Sequence, residues 1–483
     1  MSNGWNYEGI KREAQARRKA GLDCTIPDLL ALSRQNDPFY MGTKGDIAKA
    51  AWFAELWERF GYERGVHLRR MHYQIVSQDP LVEKPDGELY ENTEKDWGYL
   101  GTASKCARYL DFVNPGLFVD RRNPDAIINT QWADGVLNPC YEVEADGWAI
   151  GLPSVPALPG LAWSLPELPG FSLYGYSGRQ QNYHLEVWVE KTTMNDALEP
   201  ICRRFDVNLV TGAGEMSITA ALNLVQRVKQ ARRPCRVFYI SDFDPAGYGM
   251  PVSVARKLEF FLRDRGLDLD IRLEPIILTR EQVIEYQLPR QPIKDSERRK
   301  GRFEDVHGEG AVELDAMEAL CPGKLAEIVK GAILGYYDTT LDSRVQHQVR
   351  RAWSDLRLEK QGVYEDFDGD LAEIKADYSE LGAEFSETHQ RFNDLVADFQ
   401  SEIDAHEEKL EDIRRRWQAA SDEIQERLEA LDIDLPGIPE PSLPTETNGK
   451  LYDSGRGYLD QLVFYKAYQG GNGAICAYRE NEV

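Results

Sequence analysis

Two carboxylates separated by one residue follow a run of strand-forming residues in 237-VFYISDFDPAGYGM-250. Alternate residues of an extended chain point the same way, so Asp242 and Asp244 can face one cation. Mg²⁺ prefers a few carboxylate oxygens together with water and substrate phosphate. Pro245 ends the strand, and Gly247 lets the backbone turn tightly into the next helix. The turn therefore predicts a Mg²⁺ site beside a phosphate, with helix capping as the structural alternative for a lone D-x-D motif.

A third acidic residue extends this pattern. Glu190 ends the strand-like segment 187-VWVE-190, two strand–helix units before the aspartates, and the glycine-containing turn 211-TGAGEMS-217 lies between them. Such a turn from a strand into a helix is suited to a phosphate. Because ligands of parallel sheets sit at the carboxyl ends of the strands, the three acidic residues can converge on one site.

Strands and helices alternate around these residues. The predicted strands are 184–191, 207–211, 236–244 and 271–278, and the predicted helices between them are 194–205, 217–232 and 252–266. This alternation predicts a parallel α/β sheet with right-handed crossovers. We place this domain at 184–350.

Three short helices are predicted before the sheet. Helical spacing of apolar residues covers 44–60, 67–80 and 95–112, and 117–124 has the pattern of a short strand or wing. This order favours a winged helix-turn-helix domain over 1–150, a common nucleic-acid-binding unit, with a plain helical domain as the alternative.

A long coiled coil is predicted over 360–432, where apolar residues recur at spacings of three and four with one stutter. As a single helix of about 60 residues it would be roughly 90 Å long, unless it folds back on itself. Residues 361–440 hold 24 acidic and 7 basic residues of a chain with net charge −24. The acidity is therefore concentrated on the solvated faces of the coil, and the rest of the chain can present basic patches. Pro-rich linkers are predicted at 151–183 and at the start of 433–483.

The bulk properties favour a cytoplasmic protein. The seven cysteines form no C-x-x-C pair, which argues against structural zinc and for a reducing compartment. No window approaches 18 consecutive apolar residues, and the N-terminus lacks the apolar region of a secretory signal. No membrane contact is expected.

At these motifs the sequence resembles the Toprim domain, and most of all the A subunit of topoisomerase VI and its relative, the meiotic double-strand-break transesterase. The family's D-x-D-P-x-G turn is matched by 242-DFDPAG-247, its T-G-x-G turn by 211-TGAG-214, and its first acidic residue by Glu190. The resemblance implies a winged helix followed by a Rossmann-like parallel sheet, with Mg²⁺ bound by Glu190, Asp242 and Asp244. It also offers Glu190 as an acid or base. It covers roughly residues 40–350 and not the acidic coil.

The family also carries an R-x-x-(aromatic)-Y segment whose last tyrosine attacks DNA. The segment 69-RRMHY-73 matches it, with His72 in the aromatic position, so the resemblance implies that Tyr73 is the nucleophile. A phenol with a pKa near 10 needs help from cations or a base at neutral pH. Arg70 and Arg69 lie about one helical turn before Tyr73 and could stabilise a phenolate or clamp a phosphate. Without the resemblance, Tyr73 would be a half-buried packing residue.

Other basic residues are candidate DNA contacts. The segment 290-RQPIKDSERRKGR-302 has six basic and two acidic residues and could track a DNA backbone or form a solvated loop. The candidate contacts are Arg69, Lys105, Arg298, Arg299 and Lys300. Glu313 and Asp315 in 312-VELDAMEAL-320 are a further acidic pair, explained either by a metal site or by helix capping.

These features predict a topoisomerase VI A-like enzyme of the isomerase class (type IIB) that cleaves double-stranded DNA by tyrosine transesterification with Mg²⁺. The family implies a homodimer. Because the chain has no P-loop motif, strand passage would need a separate ATPase subunit. The alternatives are a Toprim nuclease that hydrolyses DNA with water, as in plasmid or phage defence, and a non-catalytic DNA-binding adaptor. Any of these would act in the cytoplasm at the nucleoid.

Overall fold

The computed structural model describes residues 6–120, 122–130, 140–144, 150–151, 164–174, 181–392, 400–432, 434–435, 437, 439–442 and 449–470. The chain forms two compact units. The sheet unit comprises Met1–Trp132, Gln181–Asp338 and Pro441–Val483, and the hairpin unit comprises Ala133–Gln180 and Thr339–Glu440. Each unit is therefore assembled from separated stretches of chain.

The regular elements of the described residues are numbered in chain order. The strands are β1 Cys140–Glu144, β2 Gly170–Tyr174, β3 His184–Val189, β4 Asn208–Thr211, β5 Cys235–Ile240, β6 Ile271–Ile277 and β7 Tyr452–Asp453. The helices are α1 Tyr7–Lys19, α2 Lys44–Arg59, α3 Leu68–Val76, α4 Glu94–Tyr109, α5 Asn195–Arg204, α6 Ile218–Ala231, α7 Gly249–Asp264, α8 Arg280–Glu285, α9 Lys300–His307, α10 Leu314–Leu320, α11 Lys324–Leu334, α12 Leu341–Asp366, α13 Asp368–Phe392, α14 Gln400–Glu429 and α15 Tyr458–Tyr468.

The sheet unit contains a five-stranded sheet in the order β4-β3-β5-β6-β7. The strands β3, β4, β5 and β6 are parallel, and β7 runs antiparallel to β6. Every residue of β3 and β5 is buried, as expected where helices cover both faces of a sheet. The predicted mixed α/β fold with a mostly parallel sheet is confirmed, including the helices α5, α6 and α7 between the strands.

The N-terminal helices α2, α3 and α4 confirm the three predicted helices within a few residues. Helix α2 begins at a capping box, in which Thr43 accepts a hydrogen bond from the Asp46 backbone and its own backbone donates to the Asp46 carboxylate. The strand expected at 117–124 does not form in the described residues of that segment, because Pro115–Leu117 is a 3-10 helix and Phe118 pairs in a single bridge to Val66.

The segment after the second predicted linker returns to the sheet unit as β7 and α15. The buried guanidinium of Arg256 on α7 joins three parts of the chain. It donates to Asp37 at 3.2 Å and to Glu259 at 2.8 Å, and it lies 3.9 Å from the ring centre of Phe39 and 4.7 Å from that of Tyr458. The N-terminal segment, α7 and α15 thus share one core.

The hairpin unit contains α12, α13, α14 and the β1–β2 pair. Ion pairs join Arg391 to Glu402, Glu384 to Lys409, and Asp377 to Arg416. Each step moves seven residues on both helices, from 391 to 384 to 377 on α13 and from 402 to 409 to 416 on α14. The two helices therefore pack antiparallel in one chain, which is the folded-back alternative for the acidic segment.

Part of the first predicted linker is structured. Residues Gly170–Tyr174 form β2, which pairs antiparallel with β1. The linker prediction is wrong for these residues. They pair with Cys140–Glu144, which lies on the other side of the Pro-rich stretch, and the pairing of two short segments so far apart leaves no pattern in the sequence. Residues 152–163 and 175–180 of that linker lie outside the described residues. None of the described helices is both long and apolar enough to cross a membrane.

Candidate active site

The acidic residues found in the sequence lie at the ends of two neighbouring strands. Glu190 directly follows β3, and Asp242 follows β5 after one residue. The chain leaves β3 for β4 on one side and then returns to place β5 on the other side. Ligands of open α/β sheets bind at such a switch point, outside the carboxyl ends of the strands. The backbone N–H of Glu190 donates to Ile240 at 3.1 Å, which aligns the two strand ends.

Glu190 and Asp242 are brought together in a buried place. The backbone N–H of Asp242 donates to Glu190 Oε2 at 3.2 Å, and the two residues are only 9% and 6% exposed. Burial, together with the negative charges of Asp242 and Asp244, raises the pKa of Glu190 to about 7. Burial also raises the pKa of the Asp242 carboxyl. The site therefore concentrates carboxylates where their charge is disfavoured.

The glycine of the D-x-D-P-x-G turn is required by close approach. A β carbon at Gly247 would lie 2.1 Å from the backbone oxygen of Asp242, far inside contact distance. The Gly247 N–H donates to Asp244 Oδ1 at 2.5 Å, and Ser241 Oγ donates to the Gly247 carbonyl at 3.0 Å. Asp244 thus makes the turn contact expected of a capping residue, and the turn fixes its position beside Asp242.

Lys191, which the sequence reasoning missed, supplies the positive charge at this site. Its Nζ lies 2.9 Å from Asp242 Oδ2, 3.1 Å from Glu313 Oε2 and 3.1 Å from Asp315 Oδ2. Burial opposes the ammonium charge, but the hydrogen bonds and charges of these carboxylates raise the pKa of Lys191 overall. The signal in the sequence was its position directly after Glu190, at the end of a buried strand.

The segment before α10 brings the second acidic pair to the site. Val312 and Phe243 exchange backbone hydrogen bonds of 2.8 and 2.9 Å, and the Leu314 N–H donates to Asp242 Oδ1 at 2.8 Å. Glu313 occupies the N-cap position of α10, but its side chain makes no capping hydrogen bond. The capping alternative is therefore wrong for Glu313, whose carboxylate pairs with Lys191 instead.

The donor set fits a hard cation chemically. Buried carboxylates with raised pKa values are short of positive charge, and carboxylate oxygens are the ligands that Mg²⁺ prefers. Among the described residues, however, no three His, Cys, Asp or Glu side chains stand close enough together to hold a metal. A Mg²⁺ held by Glu190, Asp242 and Asp244 would share Asp242 with the Lys191 ammonium.

The N–H groups of Gly212, Ala213 and Gly214 in the T-G-x-G turn are not available to a phosphate, so the expectation is wrong for this part of 211–217. The Gly212 and Gly214 N–H groups donate to the carbonyls of Val189 and Glu190 at 2.8 and 3.3 Å. The Ala213 N–H donates to the side chain of Asn123 at 2.8 Å. These donors are satisfied within the protein, so the turn serves to fasten the end of β3.

Tyr73 lies on the surface of α3. Its side chain is 60% exposed, so the packing alternative is wrong for this residue. The packing residue is His72, whose ring nitrogens lie 2.7 Å from Tyr90 Oη and 3.1 Å from Asn92 Oδ1. Arg70 is exposed and stacks over the ring of Tyr62 at 5.8 Å. No hydrogen bond or ion pair between described residues joins Tyr73 to the acidic site.

The candidate DNA contacts are in different surroundings. Arg69 and Arg298 have exposed side chains, whereas Arg299 is paired with Glu297 at 2.9 Å. Lys300 is paired with Asp295 at 2.7 Å. Lys105 donates to the carbonyl of Gln35, and burial lowers its pKa. The structure therefore brings Arg298 and Arg299 together and places Lys105 in a different contact.

Comparison with protein-family models and with curated proteins found no match to this chain.

Proposed function

We propose that the protein is a Toprim enzyme that cleaves double-stranded DNA with Mg²⁺, similar to the A subunit of topoisomerase VI. The observation that carries the proposal is the convergence of Glu190 and Asp242 at the switch point of the sheet, with the pKa of Glu190 raised to about 7. Lys191 pairs with Asp242, but no ion pair between described residues engages Glu190. Buried, converging carboxylates are typical of sites that bind a cation or move a proton.

In the proposed reaction Tyr73 is the nucleophile. Its phenolic oxygen forms a bond to a backbone phosphorus, the bond to the 3′ oxygen breaks, and the enzyme remains linked to the 5′ end. The exposed position of Tyr73 allows a duplex to reach it. Mg²⁺ would stabilise the charge on the phosphate when bound by Glu190, Asp242 and Asp244. When no cation is bound, the pKa of Glu190, raised to about 7, lets its carboxyl accept or return a proton at neutral pH.

The resemblance assigns roles to the remaining parts. The helices α2 to α4 would be the winged helix that presents Tyr73 to DNA, and the sheet would be the Toprim module. Family members supply tyrosine and metal from different protomers, which agrees with the absence of described contacts between Tyr73 and the acidic site in one chain. The proposal therefore includes a homodimer, and a separate ATPase subunit would drive strand passage. The acidic coiled-coil hairpin would dock a partner or extend the dimer.

Hydrolysis by water is the second candidate, and one observation favours it. Arg70 lies over the ring of Tyr62, and no hydrogen bond or ion pair between described residues joins it to Tyr73. The raised pKa of Glu190 does not distinguish the two candidates, because either reaction needs a base. In this case Tyr73 would bind DNA without forming a covalent bond.

The test is a cleavage reaction on supercoiled plasmid with Mg²⁺ or Mn²⁺, quenched with SDS and divided into samples with and without proteinase. Wild type is compared with Tyr73→Phe, with Asp242→Asn, and with Tyr7→Phe as a control tyrosine. Protein-linked ends that disappear in Tyr73→Phe and Asp242→Asn alone support transesterification. Free ends that persist in Tyr73→Phe but not in Asp242→Asn support hydrolysis. DNA binding without cleavage in either metal would refute both and leave the adaptor.

A further inference from the structure

A cleft of about 1090 Å³ lies in the sheet unit beside the D-x-D-P-x-G turn. One wall is formed by the turn and the start of α7, with Pro245 and Gly249. The other walls come from the N-terminal segment, the basic segment before α9 and the helix α15. This volume is at the upper end of the range for small-molecule pockets, and the cleft is open to solvent. It therefore has room for a length of a polymeric ligand.

Three of the six basic residues in 290–302 line this cleft: Arg298, Arg299 and Arg302. Arg298 and Arg302 are exposed, and no hydrogen bond or ion pair with another described residue engages either guanidinium. Lys294 is also exposed, but it is not part of the cleft wall. The basic segment thus divides into residues that line the cleft and residues that do not.

Arg299 connects this cleft to the acidic site. Its Nη1 lies 3.1 Å from the position that a β carbon would take at Gly249, so the guanidinium rests against the first turn of α7. The hydrogen bond to Glu297 raises the pKa of Arg299, and the nearby charge of Asp244 adds to this. An anion in the cleft therefore lies close to the carboxylates proposed to hold Mg²⁺.

The aromatic side chains of the cleft are packed against one another. The ring centre of His307 lies 4.4 Å from that of Tyr248 and 4.8 Å from that of Phe303. Their faces are therefore not open platforms for stacking bases, which sequence-tolerant single-strand binders use. Free arginines without open aromatic faces favour contact with the sugar–phosphate backbone.

We propose that this cleft holds the phosphodiester backbone of the DNA next to the site of cleavage, with Arg298 and Arg302 as phosphate contacts. This inference rests on the proposed function, because it takes the acidic site as the point of cleavage. It names residues that position the DNA and do not take part in the chemistry. Binding through them is expected to be independent of base sequence.

The test measures binding of a fluorescent DNA duplex by anisotropy in EDTA, where no cleavage occurs, over a series of salt concentrations. The double variant Arg298→Gln/Arg302→Gln is compared with the control Lys294→Gln/Lys330→Gln, which removes the same charge from exposed positions outside the cleft. Loss of two phosphate contacts should lower the slope of log K against log salt by about 1.8. The control should keep the slope of the wild type.

Each outcome decides the inference. Equal slopes for the two double variants, or no DNA binding by the wild type, would overturn it. Competition by a free mononucleotide as strong as by DNA would also overturn it, because the cleft would then be a nucleotide pocket. If cleavage requires Asp242 but the arginine variant binds DNA as tightly as the wild type, the role of the cleft is refuted and the proposed function stands. If the arginine variant loses DNA binding but the wild type cleaves no DNA, the proposed function is refuted and the cleft remains a DNA-binding site.

Discussion

Replacing Glu190 with glutamine is expected to stabilise the protein at alkaline pH in the absence of metal. Glutamine keeps a side-chain oxygen that can accept the 3.2 Å hydrogen bond from the Asp242 backbone. It removes a charge that burial and the neighbouring aspartates oppose. The change therefore tests the electrostatics of the site with little change in shape.

The magnitude follows from the pKa. Folding raises the pKa of Glu190 from its ordinary 4.5 to about 7, so the folded protein binds the proton more tightly than the unfolded chain. The free energy of unfolding then falls as pH rises from 4.5 to about 7 and stays low above that. At about 1.4 kcal/mol per pKa unit, the wild type loses about 3 kcal/mol across this range. Above pH 7 the variant should be more stable by about this amount, or ~4 °C in Tm.

The assay is urea or thermal unfolding in EDTA at pH 5 and pH 8, with Glu58→Gln on the exposed face of α2 as the control. The advantage of Glu190→Gln should be large at pH 8 and small at pH 5, while the control should show no such difference. Millimolar Mg²⁺ at pH 8 should then stabilise the wild type more than the variant. A variant that is less stable than the wild type by the same amount at both pH values would refute the electrostatic reasoning.

Three further outcomes are expected from the packing. Gly247→Ala places a β carbon 2.1 Å from a backbone oxygen, so it should lower the free energy of unfolding by about 1–3 kcal/mol and abolish plasmid cleavage. The control Gly101→Ala, whose β carbon would have no atom within 4 Å, should be neutral or stabilising by about 0.5–1 kcal/mol. Equal effects of the two variants in urea unfolding would contradict this. Asp37→Asn removes the charge that pairs with the fully buried Arg256 and should lower the free energy of unfolding by about 3–5 kcal/mol. A loss under 1 kcal/mol, as for an exposed pair, would be inconsistent with a buried ion pair. Trp417→Ala removes a buried ring of α14 and should cost the hairpin unit about 3–5 kcal/mol, seen by circular dichroism as earlier helix loss, and an unchanged melting curve would argue against the antiparallel packing.

The sequence predicted the sheet well because burial on both faces leaves a strong pattern. The fully buried strand Cys235–Ile240 is a run of mostly apolar residues, and the carboxylates stand out directly after it. The helices around it carry regular apolar spacing. The convergence of Glu190 and Asp242 followed from strand order alone, since parallel strands end at one edge.

The parts that were missed depend on contacts between distant residues. Lys191 has no motif, and its meeting with Glu313 depends on the bridge between Phe243 and Val312. The strand Tyr452–Asp453 is two residues long, too short for any period to be read. The N–H groups of Gly212, Ala213 and Gly214 are occupied by two backbone carbonyls and the side chain of Asn123, which a list of residue types cannot reveal.

The return of the last described segment to the sheet also sets the order in which the protein can be completed on the ribosome. Strand β6 is synthesised well before β7, and the whole of Thr339–Glu440 comes between them. At about 5–20 residues per second the synthesis from the end of β6 to the start of β7 lasts roughly 9–35 s. During it the edge of β6 is unpaired, and Arg256 lacks the ring of Tyr458. A nascent chain that stalls in this interval exposes an open strand edge, which is a template for pairing with other chains.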